Sequence, residues 1–170
     1  MAQVKRDDIV SLWTQGVQAV KDKSSCAAVI TAKELSIVWG SDSRYWKWAL
    51  EVAELIEVCW LEIDGKYSAI NLIKGVNYGV YFVVELSDNL CMNGPVTLKL
   101  TCPNGTTEEH KEYLETMPKN TLVGLRVGEF CDTAACGCEN TVKFSMNGCD
   151  GTTWKTGLTV IGAVIAPVIC

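Results

Sequence analysis

Residues 78–86 read Tyr78-Gly-Val-Tyr-Phe-Val-Val-Glu-Leu86, with an apolar side chain at every second position. The same alternation occurs in Val96-Thr-Leu-Lys-Leu-Thr101, where Thr and Lys separate the apolar residues. Because successive side chains of a strand point to opposite faces, this period of two predicts half-buried antiparallel strands. One face of each strand is expected to pack on a core and the other to meet water.

Short runs of β-branched and aromatic residues recur along the chain, divided by Gly, Asn and Asp. They predict further strands at Leu35–Trp39, Ile56–Ile63, Thr121–Phe130, Val142–Met146 and Trp154–Ile165. Asp64-Gly65 predicts a two-residue hairpin turn, with a new strand from about Lys66, because Gly takes a positive φ without penalty. The pattern indicates an all-β fold, an antiparallel β-sandwich or jelly roll.

The beginning of the chain has a different periodicity. Asp7 and Asp8 precede apolar residues spaced by three and four, which predicts an amphipathic helix over about residues 8 to 22. The apolar positions are Ile9, Leu12, Trp13, Val17 and Val20. We therefore expect a short N-terminal helical extension and linker over residues 1–34, followed by the β-sandwich domain over residues 35–170.

Composition narrows the functional classes. The 170 residues are 48% apolar and 21% charged, which is typical of a globular domain, and the net charge of −5 disfavours nucleic acid as a partner. The first residues lack the apolar run of a secretory signal, so we expect a cytoplasmic protein. The longest apolar stretch, residues 160–170, is shorter than the roughly 20 residues of a membrane-spanning helix.

The segment 36–48, Ser36-Ile-Val-Trp-Gly-Ser-Asp-Ser-Arg-Tyr-Trp-Lys-Trp48, holds three of the six tryptophans. Aromatic rings that also carry N–H or O–H donors match the apolar patches and hydroxyls of a pyranose ring. Asp42 and its polar neighbours offer hydrogen bonds beside these rings. The segment is therefore a candidate sugar site, although its rings equally fit core packing, and Trp46 and Trp48 would share one face of a strand.

Four cysteines cluster late in the chain, at Cys131, Cys136, Cys138 and Cys149. A single residue separates Cys136 from Cys138, which fits neither a zinc knuckle nor a ferredoxin spacing, so we expect no metal and no cofactor. The thiols are expected to be free, or to form intramolecular or intermolecular disulfides under oxidising conditions.

The sequence gives little support to catalysis. The single histidine, His110, stands in a polar run far from any cysteine or serine with motif character. A glycosidase needs two carboxylates, and a chain with 20 acidic residues can always supply a pair, so acidic residues alone do not indicate a glycosidase. Glu129 is the acidic residue whose sequence surroundings best suit such a role. We therefore expect a protein that is not an enzyme.

Six phrases occur in order along the chain. They are Leu35-Ser-Ile-Val-Trp39, Asp42-Ser-Arg-Tyr-Trp46, Val52-Ala-Glu-Leu-Ile-Glu-Val-Cys-Trp-Leu-Glu-Ile-Asp-Gly-Lys66, Asn77-Tyr-Gly-Val-Tyr81, Val127-Gly-Glu-Phe130 and Thr153-Trp-Lys-Thr-Gly-Leu158. Together these phrases resemble the phloem protein 2 (Nictaba-type) family of plant lectins, and among its members the small cucurbit phloem lectins. The resemblance covers about residues 35 to 167, most of the chain.

The resemblance implies a metal-free β-sandwich lectin, usually a homodimer, that binds N-acetylglucosamine oligomers from chitin and the N-glycan core. The two sugar-associated tryptophans of the family match Trp39 and Trp46. The same match brings Asp42, Tyr45 and Trp48 into the expected carbohydrate-binding set. The two tryptophans at positions 60 and 154 also match family positions, and their strand contexts predict core packing.

The chain departs from the family pattern in two places. Ser145-Met-Asn-Gly148 stands where tobacco-type members carry a glutamate, so Asn147 is a candidate substitute, and residues 90–118 lack the basic stretch for nuclear import. The many cysteines resemble those of phloem-exudate members, which implies a location in phloem sap. It also implies an alternative function, the cross-linking of phloem filament proteins through disulfides of Cys131, Cys136, Cys138 and Cys170.

Overall fold

The computed structural model describes residues 28–49, 51–131, 140–149 and 153–168. The predicted helix at 8–22 lies outside these residues. The strands are β1 Ala28–Thr31, β2 Ser36–Ile37, β3 Trp46–Ala49, β4 Val52–Leu55, β5 Trp60–Ser68, β6 Asn77–Cys91, β7 Val96–Thr101, β8 Thr107–Glu112, β9 Leu122–Cys131, β10 Thr141–Cys149 and β11 Thr156–Pro167. Short 3₁₀ turns lie at Ala32–Glu34, Ala69–Asn71 and Leu114–Thr116.

The strands of the described residues form two antiparallel sheets. The six-stranded sheet has the order β3-β4-β11-β6-β9, and β1 also pairs with β11. The five-stranded sheet has the order β2-β5-β10-β7-β8. The prediction of an all-β antiparallel sandwich is confirmed.

The core lies between the sheets. Phe82 of β6 meets Phe144 of β10 edge to face across the sandwich, with ring centroids 5.3 Å apart. Strand β7 contributes Leu98 and Leu100 to the same core, as its alternating pattern predicts. Apolar burial against the facing sheet is what holds each strand in its register.

Strand β6 is more deeply buried than its pattern predicts. The face that the alternation predicts to meet water carries Tyr81 and Val83, and both of these side chains are buried as well. These two pack with Val164 and Ala166 of β11 in a second apolar cluster on the other face of the six-stranded sheet. The expectation that one face of this strand meets water is therefore wrong, because β6 lies between β11 and β9 and is apolar on both sides.

The predicted hairpin turn at Asp64-Gly65 is also wrong. Both residues lie inside β5, where Asp64 is opposite Ser145 and Gly65 is opposite Phe144 of β10. A Cβ at Gly65 would stand 2.3 Å from the ring of Phe144. The glycine therefore makes room for a core ring, and the strand continues through it to Ser68.

Other strand limits also shift. Residues 60–63 of the predicted run 56–63 begin β5, whereas residues 56–59 lie in the connection between β4 and β5. Strand β2 covers only two residues of the run 35–39. Strands β1, β4 and β8 were not expected. Strand β1 pairs with β11, so the sandwich already includes residues 28–31 of the segment predicted as an extension.

No helix within the described ranges has the length and apolar character needed to span a bilayer.

Replacing Gly65 with Ala should lower the free energy of unfolding by about 1–3 kcal/mol, because the added methyl group overpacks the core against Phe144. Urea unfolding of wild type and variant measures this change. The same substitution in a Phe144→Leu background should cost less, since the ring it strikes is gone. An equal cost in both backgrounds would show that the contact with the ring is not the cause.

Candidate functional site

The candidate site is built on the connection between β2 and β3, which passes from the five-stranded sheet to the six-stranded sheet. Successive backbone hydrogen bonds fold residues 38–45 into turns. The N–H of Gly40 donates to the Ile37 carbonyl at 2.9 Å, and the N–H of Asp42 donates to the Trp39 carbonyl at 3.0 Å. The Trp48 indole N–H donates to the Gly40 carbonyl at 2.7 Å and ties the connection to β3.

Trp39 occupies an unusual backbone position in these turns. Its φ is 61°, in the left-handed region that bulky residues rarely adopt, and its side chain is 56% exposed. Strained conformations of this kind persist only where the surrounding structure enforces them, and they concentrate at functional sites. Here the strain turns a large indole outward.

Three neighbouring rings, those of Trp39, Tyr45 and Trp154, form a cluster that we call the aromatic surface. Trp39 and Trp154 are exposed, and Tyr45 between them is partly buried against the core. The rings of Trp39 and Tyr45 meet edge to face with centroids 6.0 Å apart. The rings of Tyr45 and Trp154 are stacked at 6.4 Å with 23° between their planes. The surface thus joins the β2–β3 connection to the residues that precede β11.

An ion pair flanks the aromatic surface. Arg44 Nη2 donates to Asp42 Oδ2 at 2.7 Å, Arg44 Nε donates to Asp42 Oδ1 at 3.0 Å, and the Arg44 backbone N–H donates to the same Oδ1 at 3.0 Å. The guanidinium carbon lies 5.1 Å from the centroid of the Tyr45 ring. The hydrogen bonds from Arg44 lower the pKa of Asp42 to about 2, so the carboxylate is charged at every physiological pH.

Two of the expected sugar-binding tryptophans point inward. Trp46 is only 2% exposed and belongs to the core, and its Nε1–H has no acceptor within the described residues. Trp48 is partly buried and packs against the same core. Side chains two apart on β3 share a face, and here that face is the inner one. In this conformation Trp46 offers no ring face to a ligand, whereas Trp39, Asp42 and Tyr45 are brought together.

Two tryptophans expected in the core are at the surface instead. Trp154 is 50% exposed and Trp60 is 47% exposed, so the expectation of core packing for both is wrong. The next residue, Lys155, is the buried one: its Nζ donates to the carbonyls of Cys59 at 3.0 Å and Thr153 at 3.2 Å. Its backbone also pairs with Val58. This anchoring of Lys155 leaves Trp154 directed outward.

The remaining candidate residues lie elsewhere. His110 Nε2 is 3.4 Å from a carboxylate oxygen of Glu112, and Glu129 pairs with Arg126 at 3.2 Å. Asn147 lies on β10 opposite Glu62 of the neighbouring strand. No group of three or more His, Cys, Asp or Glu side chains in the described part of the chain is arranged to hold a metal ion.

Of the four cysteines proposed for intermolecular links, Cys131 ends β9 as a free, partly exposed thiol. Cys136, Cys138 and Cys170 lie outside the described residues. Cys91 is free and exposed at the end of β6, and no motif in the sequence singles it out.

Comparison with known proteins identifies the family. The family model for phloem protein 2 matches residues 25–167, which is most of the chain and nearly all of the sandwich. The chain belongs to the phloem protein 2 family. The resemblance seen in the sequence phrases is thereby confirmed.

Individual members of the phloem protein 2 family give the same result. Protein PHLOEM PROTEIN 2-LIKE A1 of Arabidopsis thaliana is 38% identical over 160 residues, covering 87% of this chain and 64% of that protein. A protein named Lectin from Luffa acutangula is 34% identical over 156 residues, covering 86% of this chain and 73% of its own length. A second protein named Lectin, from Coccinia grandis, is 26% identical and covers 81% of this chain and 92% of its own length.

The low pKa of Asp42 can be measured directly. A carboxyl-carbon NMR titration should give a midpoint at about pH 2. Because the folded pKa is lowered below 3.8, any stabilisation from the ion pair is complete above pH 3.8 and is lost as the pH falls through about 2. In Arg44→Gln the midpoint should rise towards 3.8; a wild-type midpoint already at 3.8 would contradict the arrangement.

Proposed function

We propose that this chain is a non-catalytic phloem lectin that binds N-acetylglucosamine oligomers, the units of chitin and of the N-glycan core, on the aromatic surface. The observation that carries the proposal is the cluster of Trp39, Tyr45 and Trp154, three contiguous rings of which the two tryptophans are exposed. The names of the Luffa and Coccinia relatives support the assignment to lectins.

The chemistry of the site suits an amino sugar. The ring faces offer apolar contact to the C–H patches of a pyranose, and an aromatic contact of this kind binds without any bond being made or broken. Asp42 supplies a permanently charged acceptor for sugar hydroxyls or an acetamido N–H, and Arg44 supplies donors on the same side. Hydrogen bonds to charged groups are stronger than neutral ones, so this pair fixes orientation while the rings supply contact area.

A shallow site of this size binds weakly, since few contacts offset the loss of freedom on binding. A homodimer would present two such sites and gain strength by multivalency on a polymeric or clustered glycan. We therefore include a homodimer, acting in phloem sap, in the proposal.

Truncating Trp154 to Ala should weaken chitotriose binding more than tenfold, about 1.4 kcal/mol, because it removes one wall of the aromatic surface. Trp39→Ala should have an effect of similar size. Isothermal titration calorimetry on each folded variant measures the change in affinity. Unchanged affinity in both variants would refute the aromatic surface as the sugar site.

Two other tryptophans serve as controls. Trp60→Ala removes an equally exposed indole that hydrogen-bonds to Glu62 and lies outside the three-ring cluster, so chitotriose affinity should be retained. Trp46→Phe keeps an aromatic ring in the core and deletes an N–H that lacks an acceptor, so it should alter affinity little. A large loss of affinity in Trp46→Phe would favour the sequence-based assignment of that residue.

A second candidate function is the cross-linking of filament proteins through thiols. The observation that favours it is that Cys91 and Cys131 are free and at least partly exposed. They sit at opposite ends of the 15-residue strand β6, since Cys131 is opposite Asn77 and Cys91 ends the strand. A disulfide needs Cα atoms within about 7 Å, so these two thiols cannot bridge each other and must find other partners.

Mild oxidation should therefore produce disulfide-linked multimers on a non-reducing gel. Replacing Cys131, Cys136, Cys138 and Cys170 together with Ser should strongly reduce them, because these thiols are the proposed links, and adding Cys91→Ser should reduce them further. A Cys59→Ser/Cys102→Ser control, which changes two partly buried thiols, should leave the multimers in place. Multimers that persist unchanged in the fourfold variant would contradict the proposed set.

A further inference from the structure

A second concave surface lies on the outer face of the five-stranded sheet. It encloses about 430 Å³, within the range of roughly 300–1,000 Å³ that small-molecule sites occupy. We call it the lysine groove. Its lining includes three lysines from three strands, two serines and one aspartate: Lys66, Lys99, Lys143, Ser36, Ser145 and Asp64.

The strand register accounts for the convergence of the lysines. Lys66 of β5 is directly opposite Lys143 of β10, and Lys99 of β7 is opposite Ser145 of β10. Directly opposed side chains on one face stand about 4.5–5.5 Å apart at Cβ, and like charges placed there repel. The sheet therefore places two lysine side chains next to each other on one face.

The two carboxylates that line the groove, those of Glu34 and Asp64, make no ion pair with its lysines. Among the described residues no salt bridge involves Lys66, Lys99 or Lys143. The carboxylate of Glu34, which also lines the groove, accepts hydrogen bonds from the backbone N–H and the hydroxyl of Thr31. Partial burial and the nearby Glu62 raise the pKa of Asp64. The lining carries three lysines against two carboxylates, a small positive excess on a chain whose net charge is −5.

We propose that the lysine groove binds an acidic sugar, with the anionic group of the sugar between Lys66 and Lys143. An anion there would relieve the repulsion between the two ammonium groups and form charge-assisted hydrogen bonds with both. The hydroxyls of Ser36 and Ser145, together with the Asp64 carboxylate, match the donors and acceptors of a sugar ring. A neutral sugar could form no ion pair with either lysine.

This site is separate from the aromatic surface. The lining of the groove includes none of the three rings, and the aromatic surface carries none of the lysines. The two surfaces also differ in chemistry, since one depends on ring contact and the other on charge. The proposal of acidic-sugar binding can therefore be tested independently of the proposed N-acetylglucosamine site.

The test uses the full chain and three probes: trigalacturonate, its methyl ester as a matched neutral ligand, and inorganic phosphate. Calorimetric titration should detect binding of trigalacturonate and no binding of the ester. The affinity for trigalacturonate should fall as the salt concentration rises from about 0.05 to 0.5 M, because salt screens the charges. Lys66→Gln/Lys143→Gln should weaken the binding at least tenfold. Lys47→Gln/Lys74→Gln, which removes the same charge from two other exposed lysines, should leave it unchanged.

Several results would overturn the proposal. They are absence of trigalacturonate binding to the wild-type chain, equal affinity in the two double variants, or equal binding of the methyl ester. Binding of phosphate without binding of trigalacturonate would show that the groove binds only small anions, and this result would also refute the proposal. Titration of the same proteins with chitotriose distinguishes a failure of this proposal from a failure of the proposed lectin function. The Lys66→Gln/Lys143→Gln variant should keep its chitotriose affinity.

Discussion

The apolar layer between the two sheets is the constraint on which the rest of the molecule depends. Phe82 and Phe144 meet in it from opposite sheets, and Gly65 leaves the space that the second ring occupies. Such layers are packed as densely as organic crystals, so a side chain of the wrong size on either sheet displaces its neighbours. The alternation of each strand follows from this layer, and so does the outward direction of every residue that can bind a ligand.

The aromatic surface results from the way the chain passes from one sheet to the other. Strands β2 and β3 belong to different sheets, so the residues between them must turn at the end of the sandwich. Trp46 begins β3 by filling the core, and Tyr45, in the turn just before it, is partly buried and contacts the exposed rings of Trp39 and Trp154.

Sequence patterns predicted the fold where burial alternates and failed where tertiary contacts override local signals. Strand β7 follows its apolar pattern, whereas Asp64-Gly65 has strong turn chemistry and still lies within a long strand because β10 pairs along its whole length. Strand β8, Thr-Glu-Glu-His-Lys-Glu, has no apolar residue and is held by pairing with β7. Its charges suit an edge strand, which must avoid pairing with other chains.

The candidate site could be predicted only in part, because its geometry also depends on tertiary contacts. The segment 36–48 marked the correct connection, but spacing along a strand gives only relative directions, so it could not tell which ring of Tyr45 and Trp46 faces the core. Trp154 comes from a distant part of the chain and meets Tyr45 only through the folded register. Its outward direction depends on the burial of Lys155, an uncommon place for a lysine that no local pattern indicates.

The exposed ion pair at the site orients the neighbouring side chains more than it stabilises the fold. Surface salt bridges contribute little to folding, and Asp42 and Arg44 are both solvent-accessible. Their bidentate geometry nevertheless fixes the guanidinium against the Tyr45 ring, and the Trp48 hydrogen bond fixes the turn that carries Trp39. Rings held in place before a ligand arrives lose less freedom on binding. The strained backbone at Trp39 is consistent with a surface whose shape is set in advance for a rigid, flat-faced ligand.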